Sequence, residues 1–544
     1  MNISISKFMT AVAGVALIAS ASSCSSDYLE TAPQNKPGSA TIFETTENAA
    51  MAINGICLAM VQQYGVGTTS SSGTQGMNGE GTLMTWYNEY TGVDYQKSNL
   101  TGWQNTCNCN NIANGKNTYT KYPWHYLYKQ ISNANAIIAN IDKADGDQED
   151  KDFIKAQALT FRAYFYGALV KYYSRRWSYA DGASRGVVLR LEPSNNPMEA
   201  SSLRAVYAQI YRDLDQAIEL YRASGKDRPK GDLWSPNEDV AHAVYARYAL
   251  NREDWAKAYE QAQLARKNYT LMTADDYKDG FNKPNSEWIW EAYNDAGQTI
   301  HHYGFFSYNG SNTDTSAGYK YVPSISKTLI EQIPENDARR WCYLVPLESE
   351  KGSYKTTDSG SAVSKGALQK RARADYKDYL NGTSTVIFAY MSFKFRSVSG
   401  HSDGCINLFR AAEMIYIQAE AACMMKGKDS EVQKLLEEAV APYQDNYKCT
   451  KTGDELLEEV KLYRRFDLWG EGFSWYDQKR WGNYHTRLTW EEGGNFAPAF
   501  CGTGTSGGNY GPDEKYYWTY SFPIQETDNN PLVSAEEPND KKWD

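Results

Sequence analysis

The feature that most constrains the fold is a series of amphipathic helical patterns that occur in pairs. SSLRAVYAQIYRDLDQAIELY (201–221) repeats apolar residues such as Ile210 and Leu214 every three or four positions, turns Asp213 outward and begins with serines able to cap a helix. DVAHAVYARYAL, NRED and WAKAYEQAQLARKN follow (239–268). Small alanines at helix contacts, a four-residue break and an aromatic residue opening the second helix are typical of a tetratricopeptide-type hairpin.

The same kind of pattern recurs along the chain. KAQALTFRAYFYGALVKYY (155–173) is apolar on two faces, which predicts a helix packed between other helices. Further helical patterns occupy 126–141, 407–425, 430–443 and roughly 454–468. The sequence therefore predicts a mainly α fold of about four tetratricopeptide-like helix pairs, interrupted by long insertions rather than stacked at a strict period.

The insertions are the second feature of the chain. They occupy 65–120, 269–400 and 485–519, and they are irregular and rich in aromatic residues. The whole chain is 14% aromatic, led by 42 Tyr and 15 Trp, and loops of this composition are poor candidates for disorder. Long loops in a compact protein are usually functional. We therefore expect ligand-binding loops carried on a helical scaffold.

The first residues have the pattern of an export signal. Lys7 precedes an apolar run at 8–18, small residues follow, and Cys24 comes next. We interpret 1–23 as a lipoprotein signal peptide, Cys24 as the lipidated residue and 24–41 as the lipid-bearing flexible tether. The alternative is an ordinary cleaved signal with a chance cysteine. The prediction is an exported protein that is tethered to a membrane, with the chain after Cys24 in water.

Composition and motifs argue against several functions. The net charge is −10 and no Lys/Arg cluster stands out, so nucleic acid is not an expected partner. The chain has no HExxH helix and no P-loop, and its six histidines lack ligand spacing, so we assign no catalytic residue, metal or cofactor. A glycosidase needs only two carboxylates, and Glu80, Glu89, Glu287 and Glu291 lie among the aromatics, but nothing in the sequence pairs them.

The aromatic loops have the composition of a glycan platform. A flat Trp or Tyr ring covers the apolar face of a sugar, while Asn, Asp and similar side chains bind its hydroxyl groups. The aromatic candidates are Trp86, Tyr90, Trp103, Tyr303, Phe306 and Tyr308. The polar candidates are Asn78, Asn88, Asp94 and Asn309.

Several segments resemble one family. The N-terminal half contains WHYLYKQISNANAIIANI and KAQALTFRAYFYGALVKYYS, and the later helix reads NLFRAAEMIYIQAEA. YRRFDLWGEGFSWYDQKRWG (463–482) and FPIQETDNNP (522–531) complete the pattern. Together they resemble the SusD/RagB family of outer-membrane nutrient-binding lipoproteins, along nearly the whole mature chain.

The resemblance implies a non-catalytic, surface-exposed outer-membrane lipoprotein. Such a protein captures a glycan and passes it to a SusC-like TonB-dependent transporter. It also implies a single domain at 42–544, with an N-terminal helical part (42–270), a loop-rich ligand face (271–400) and C-terminal helices and loops (401–544). We interpret EGFSWYDQKRWG (471–482) as structural, with stacked Trp and Arg side chains and ion pairs that fix a turn.

Other functions stay open at this point. The chain could bind a peptide in the same import system, act as a helical glycosidase or lyase, or serve as a structural lid without a ligand. The family motif assigns no ligand contact, so the site prediction depends on the aromatic loops alone. Exposed charges such as Lys129 and Arg162 are candidates for contact with the transporter.

Overall fold

A computed structural model describes most of the chain after the predicted tether. The described residues are 42–63, 77–97, 104–295, 297, 303–356, 362–501 and 510–534. The predicted signal peptide, Cys24 with its tether, and Trp103 lie outside them. Within these ranges, no helix combines the length and the apolar character needed to cross a membrane.

The N-terminal half is built from helices. They are α1 (Thr46–Ala59), α2 (Gly79–Thr82), α3 (Gln104–Cys107), α4 (Thr118–Asn140), α5 (Gln148–Tyr173), α6 (Leu203–Ser224), α7 (Glu238–Asn251) and α8 (Trp255–Arg266). A π-helix (Leu83–Glu89) continues α2 directly, and strand β1 (Tyr95–Lys97) follows it. Short 3-10 turns lie at Ile141–Lys143 and Trp177–Tyr179.

The middle of the chain alternates short helices, turns and strands. Its elements are α9 (Ala274–Lys278), β2 (Trp288–Ala292), α10 (Phe305–Asn309), α11 (Ser316–Lys320), β3 (Pro323–Ile325), α12 (Lys327–Ile330), 3-10 turns at Ala338–Cys342 and Glu348–Glu350, β4 (Tyr354–Thr356), β5 (Ala362–Ser364), α13 (Gly366–Asp375) and a 3-10 turn at Lys377–Tyr379.

The C-terminal part is again mainly helical. It comprises β6 (Ile406–Arg410), α14 (Ala411–Met424), α15 (Asp429–Val440), α16 (Gly453–Asp467), α17 (Ser474–Trp481), a 3-10 turn at Pro498–Phe500, α18 (Lys515–Trp518) and α19 (Ile524–Asn529). The prediction of a mainly α fold is confirmed.

The long helices form one continuous scaffold. Each of α4 to α8 packs against the next, α8 packs against α14, and α14 packs against α15 and α16. Helix α5 is buried along both faces from Ile154 onward, as its two apolar stripes predict. The predicted α7–α8 hairpin is present, and Asp254 caps α8 by accepting a hydrogen bond from the Lys257 amide.

The start and the end of α6 follow its sequence. The Ser202 side chain accepts a hydrogen bond from the Ala205 amide at the start, and Gly225 ends the helix in a left-handed conformation with φ +61°. The prediction for Asp213 was wrong. Its carboxylate is buried and accepts two hydrogen bonds from Arg162 at 2.6 and 2.8 Å. Arg162 is therefore a buried structural residue and not an exposed contact for a transporter, whereas Lys129 is exposed.

The described residues form three two-stranded antiparallel sheets, and two of these sheets tie distant segments together. Strand β1 pairs with β3, with Tyr95 opposite Ile325, so the early insertion is joined to the middle of the chain. Strand β2 pairs with β6, with Trp288 opposite Arg410, and β4 pairs with β5. The buried apolar side chains form one contiguous cluster that runs from the N-terminal helices to the C-terminal turns.

The EGFSWYDQKRWG segment is structural, as interpreted from its sequence. Asp477 accepts hydrogen bonds from Arg464 and Arg480, each at 2.7 Å. Arg480 also binds Glu420, and its guanidinium lies 4.8 Å from the ring of Trp481. All of these groups except Trp481 are buried, so the segment fixes α17 against α14 and α16.

The close approach of α5 and α7 generates a stability prediction. A Cβ atom added to Gly167 would lie 2.1 Å from the ring of Tyr248, whose hydroxyl donates to the Tyr164 carbonyl at 2.7 Å. Because the ring is held in place, we expect Gly167→Ala to lower the free energy of unfolding by roughly 1–3 kcal/mol in urea titrations. Gly55→Ala is the matched control, since α1 has open space there and the change should stabilise the protein by up to about 1 kcal/mol. Equal stability of Gly167→Ala and the wild type would contradict the packing.

Candidate functional site

The structure brings three of the predicted aromatic residues and one of the polar candidates together, but inside the protein. The ring centroids of Trp86 and Tyr308 lie 5.4 Å apart, edge to face. Lys97 donates to the Tyr308 carbonyl at 2.6 Å, and its ammonium lies 5.8 Å from the ring of Tyr90. Asn309 closes the cluster by donating to the Thr85 hydroxyl at 2.9 Å.

Burial removes these rings from contact with a ligand. Trp86 and Phe306 are 0% exposed, Tyr90 is 1% exposed and Tyr308 is 3% exposed. A ring without exposed area offers no face to a sugar, so the prediction of an exposed platform does not hold for these four residues. Tyr303 is half-buried and keeps some exposed area. For Tyr303, and for Trp103 outside the described ranges, the platform stays a prediction.

The predicted polar candidates also serve the interior. Asn78 donates to the Tyr303 carbonyl. Asn88 donates to the Leu83 carbonyl at 2.8 Å. Asp94 accepts two hydrogen bonds from Arg465, at 2.5 and 2.9 Å. With Asn309, all four are buried and hydrogen-bonded within the protein, so they hold the insertion on its scaffold rather than lining an open site.

The four carboxyl groups weighed as glycosidase residues are buried as well. Glu80 accepts hydrogen bonds from the hydroxyls of Tyr126 and Tyr164, at 2.8 and 2.6 Å. Glu287 pairs with Arg410 at 2.7 Å. Burial raises the pKa of each, and it raises the pKa of Glu89 and Glu291 to about 7. Their environments explain these shifts without a catalytic role.

A large open cleft lies in the middle part of the chain, between α12, α13 and the turns at 338–342 and 348–350. Its volume is about 820 Å³, within the range of sites that hold small ligands. We call it the Trp341 cleft, after the half-buried tryptophan that lines it. Its other lining residues include Lys278, Glu331, Arg340, Tyr354, Arg371, Tyr376 and Tyr390.

One part of the cleft is an aromatic corner around Trp341. The Trp341 ring lies 4.8 Å from the ring of Tyr376 and 5.0 Å from the ring of Tyr379. The Tyr376 hydroxyl donates to the Trp341 carbonyl at 2.8 Å, and the ammonium of Lys278 lies 5.7 Å from the Trp341 ring. These contacts fix the position of the Trp341 ring, and part of the ring stays exposed. A ring that is fixed before binding suits a preformed contact for a ligand.

A second group of aromatic residues lies along the same cleft. Tyr354 and Tyr390 both approach Trp490, with ring centroids 5.4 and 5.9 Å away. Tyr390 has a φ of +64°, a left-handed conformation that is unusual for a bulky residue and that concentrates at functional sites. The Tyr390 hydroxyl donates to Glu331 at 3.3 Å. The cleft therefore combines aromatic faces with fixed polar groups.

The sequence did not identify this cleft. The predicted platform followed aromatics interleaved with Asn, whereas Trp341 is a single tryptophan in ARRWC, beside two arginines. The available signal was its location, since Trp341 lies within the part (271–400) predicted to form the ligand face. The residues around it come from 278 to 390, and only the fold brings them together.

A second, smaller cavity lies inside the protein, between residues of α5, α7, α16 and α17. Its volume is about 60 Å³, which leaves room for a few water molecules and none for a sugar. Glu80, Lys171, Arg247 and Arg464 line it. Burial lowers the pKa of Lys171 to about 7. Across the described ranges, no group of three or more His, Cys, Asp or Glu side chains is arranged to hold a metal ion.

Comparison with known sequences decides the family. A profile described as the SusD family matches residues 244–537, more than half of the chain. The protein belongs to the SusD family. A SusD-like profile, described as "Starch-binding associating with outer membrane", matches residues 39–250.

Individual relatives of this SusD-family protein agree with the profiles. The SusD-like protein P25 of Formosa agariphila is 24% identical over 385 residues, which cover 66% of this chain and 69% of that protein. The crystal structure of a SusD-like carbohydrate binding protein from Bacteroides vulgatus superposes with a TM-score of 0.70 at 24% identity, covering 91% of this chain and 99% of the other. A SusD superfamily protein from Bacteroides thetaiotaomicron gives a TM-score of 0.68 at 19% identity, and the superposition covers 91% of this chain and 100% of the other. These structures share the fold.

The buried carboxyl group of Glu89 should make the stability of this SusD-family protein depend on pH. It accepts hydrogen bonds from the amides of Gly472 and Phe473, at 2.7 and 3.0 Å, at the start of α17. Burial nevertheless raises its pKa from 4.5 to about 7. Between these values the unfolded chain releases the proton while the folded protein keeps it, so the free energy of unfolding falls as the pH rises through this window.

The Glu89→Gln variant isolates this contribution, because an amide oxygen can still accept both hydrogen bonds but does not titrate. We expect the stability of the wild type relative to the variant to fall by on the order of 3 kcal/mol across the window, in urea titrations at several pH values. Glu458→Gln, with a 70% exposed side chain, is the control and should leave the pH dependence unchanged. Parallel pH profiles of Glu89→Gln and wild type would show that Glu89 titrates normally.

Proposed function

We propose that this protein is a surface-exposed outer-membrane lipoprotein, anchored through Cys24, that captures a polysaccharide or oligosaccharide. It binds the glycan without cleaving it and passes it to a SusC-like TonB-dependent transporter. Membership of the SusD family supports this role, and so do the signal-like pattern and cysteine at the start of the sequence.

The observation that carries the binding part of the proposal is the Trp341 cleft. It is large enough for several sugar units, and it offers a half-buried tryptophan packed against two tyrosines. Such a ring covers the apolar face of a sugar, while Arg371, Glu331 and the other polar groups around it suit the hydroxyls. The printed name of the Bacteroides vulgatus relative, a carbohydrate binding protein, agrees with this ligand class.

Binding without cleavage fits the charges of the cleft. A glycosidase needs a protonated general acid near neutral pH, which requires a carboxyl group with a raised pKa. Glu80, Glu89, Glu287 and Glu291, whose pKa is raised by burial, do not line the cleft. Within the cleft, Glu331 and Glu348 lie beside lysines instead.

Affinity electrophoresis of the mature chain without its lipid tests the proposal. Native gels containing plant, fungal or host polysaccharides should retard the wild type on at least one glycan, with no shortening of that glycan on incubation. Trp341→Ala should weaken that binding at least about tenfold, because the stacking face is lost. Trp255→Ala, which removes a half-buried tryptophan of α8 away from the cleft, is the matched control and should bind normally.

Two results would count against the proposal. Retention of full affinity by Trp341→Ala would place the glycan elsewhere on the protein. Failure of every glycan to retard the wild type, combined with binding of peptides, would favour the peptide-binding alternative.

A further inference from the structure

Two cations beside Trp341 form no close ion pair with a described carboxylate. The ammonium of Lys278 lies over the Trp341 ring, and within the described chain no carboxylate comes within 4 Å of it. Arg340 precedes Trp341 and uses one nitrogen, Nη1, to donate to the carbonyls of Ile330 and Ile333, at 2.5 and 2.7 Å. It too has no ion pair with a described carboxylate, and both cations are only half-buried.

The geometry of Arg340 leaves one edge of its guanidinium available. The two carbonyls fix the side chain through Nη1, while Nε and Nη2 have no hydrogen-bond partner among the described residues. The Nε–Nη2 edge of arginine presents two parallel N–H groups, which match the two oxygens of a carboxylate or a sulfate. Arg340 is therefore a preformed fork that lines the cleft.

The other cations of the cleft are already neutralised. Arg371 binds Glu350 through two hydrogen bonds at 2.7 and 2.8 Å, and Lys351 pairs with Glu348 at 2.5 Å. Lys327 lies 3.9 Å from Glu331, and the lining residue Asp337 is held by Arg339 at 2.7 Å.

The remaining charges of the cleft do not balance. The cleft has two unpaired cations, Lys278 and Arg340, and one lining carboxylate, the exposed Glu335, that has no ion pair with a described residue. The cleft thus keeps an excess of positive charge on a chain whose net charge is −10. Because the chain as a whole is acidic, the positive charge of the cleft is specific to this site and does not reflect the overall charge of the protein.

We propose that the Trp341 cleft selects glycans that carry acidic groups, either the carboxylate of a uronic acid or a sulfate. This inference depends on the proposed function, glycan capture. A sugar ring lies against Trp341, and its acidic group is bound by the free edge of Arg340 and by the ammonium of Lys278. Both contacts are partly shielded from water, where a charge-assisted hydrogen bond is stronger than in bulk solvent.

Calorimetric titration with matched ligands tests the inference on the mature, unlipidated chain. One pair is an oligogalacturonate and the same oligosaccharide with its carboxyl groups reduced to alcohols, and the other is a sulfated dextran oligosaccharide and plain dextran. We expect at least one acidic ligand to bind about tenfold or more tightly than its neutral partner at physiological ionic strength. The arm that shows this preference distinguishes a uronate from a sulfate.

Single substitutions then assign the preference to the two cations. Lys278→Gln and Arg340→Gln should each reduce the preference for the acidic ligand about tenfold or more, while binding of the neutral partner changes little. Arg340→Lys keeps the charge but loses the fork, so it should restore only part of the preference. Lys351→Gln is the matched control, because this lysine lines the same cleft but is paired with Glu348. Glu335→Gln should strengthen binding of the acidic ligand.

The outcomes separate this inference from the proposed function. Equal affinity for acidic and neutral ligands, with binding that still depends on Trp341, overturns the acidic preference and leaves glycan capture intact. An acidic preference unchanged in Lys278→Gln and Arg340→Gln, with both variants folded by circular dichroism, also overturns it. Glycan binding that does not depend on Trp341 overturns the acidic site in this cleft but not glycan capture. Absence of binding to every glycan removes both proposals.

Discussion

A buried network of ion pairs holds the parts of this protein in their relative positions. Arg410, at the end of β6, binds Glu287, Asp467 and Glu471 at 2.7–2.8 Å, and all four groups are almost completely buried. Lys394 adds a 2.6 Å contact to Glu471. Removing one partner from such a network leaves an uncompensated charge in the interior, which costs about 3–5 kcal/mol. The middle segment and the C-terminal helices therefore keep one arrangement.

The same network positions the proposed binding cleft. Arg339 lies two residues before Trp341 in the chain and pairs with Asp337 at 2.7 Å and with Asp467 at 3.1 Å. Because Arg339 points into the core, the turn that contains it presents its neighbours Arg340 and Trp341 to the cleft. The rigid interior thus fixes the backbone from which the ligand-facing side chains project, as a preformed site requires.

The sequence predicted the scaffold well because helices depend on local patterns. The stripe and the serine cap of α6, the α7–α8 hairpin and the pairs that Asp477 makes with Arg464 and Arg480 all follow from residues close together in the chain. Burial of single polar or aromatic residues depends instead on distant partners. Arg162 appeared exposed because its partner Asp213 lies 51 positions away. Trp86 appeared to be a ligand contact because its loop composition does not reveal the packing against Tyr308.

The central claim is that a glycan occupies the Trp341 cleft of this SusD-family protein. The most direct measurement is a crystal structure of the mature chain with an oligosaccharide from a glycan that retards it in native gels. The account predicts sugar density against the exposed face of Trp341, between α12 and α13. Sugar density away from this cleft, for example beside Tyr303, with an empty Trp341 face, would contradict it.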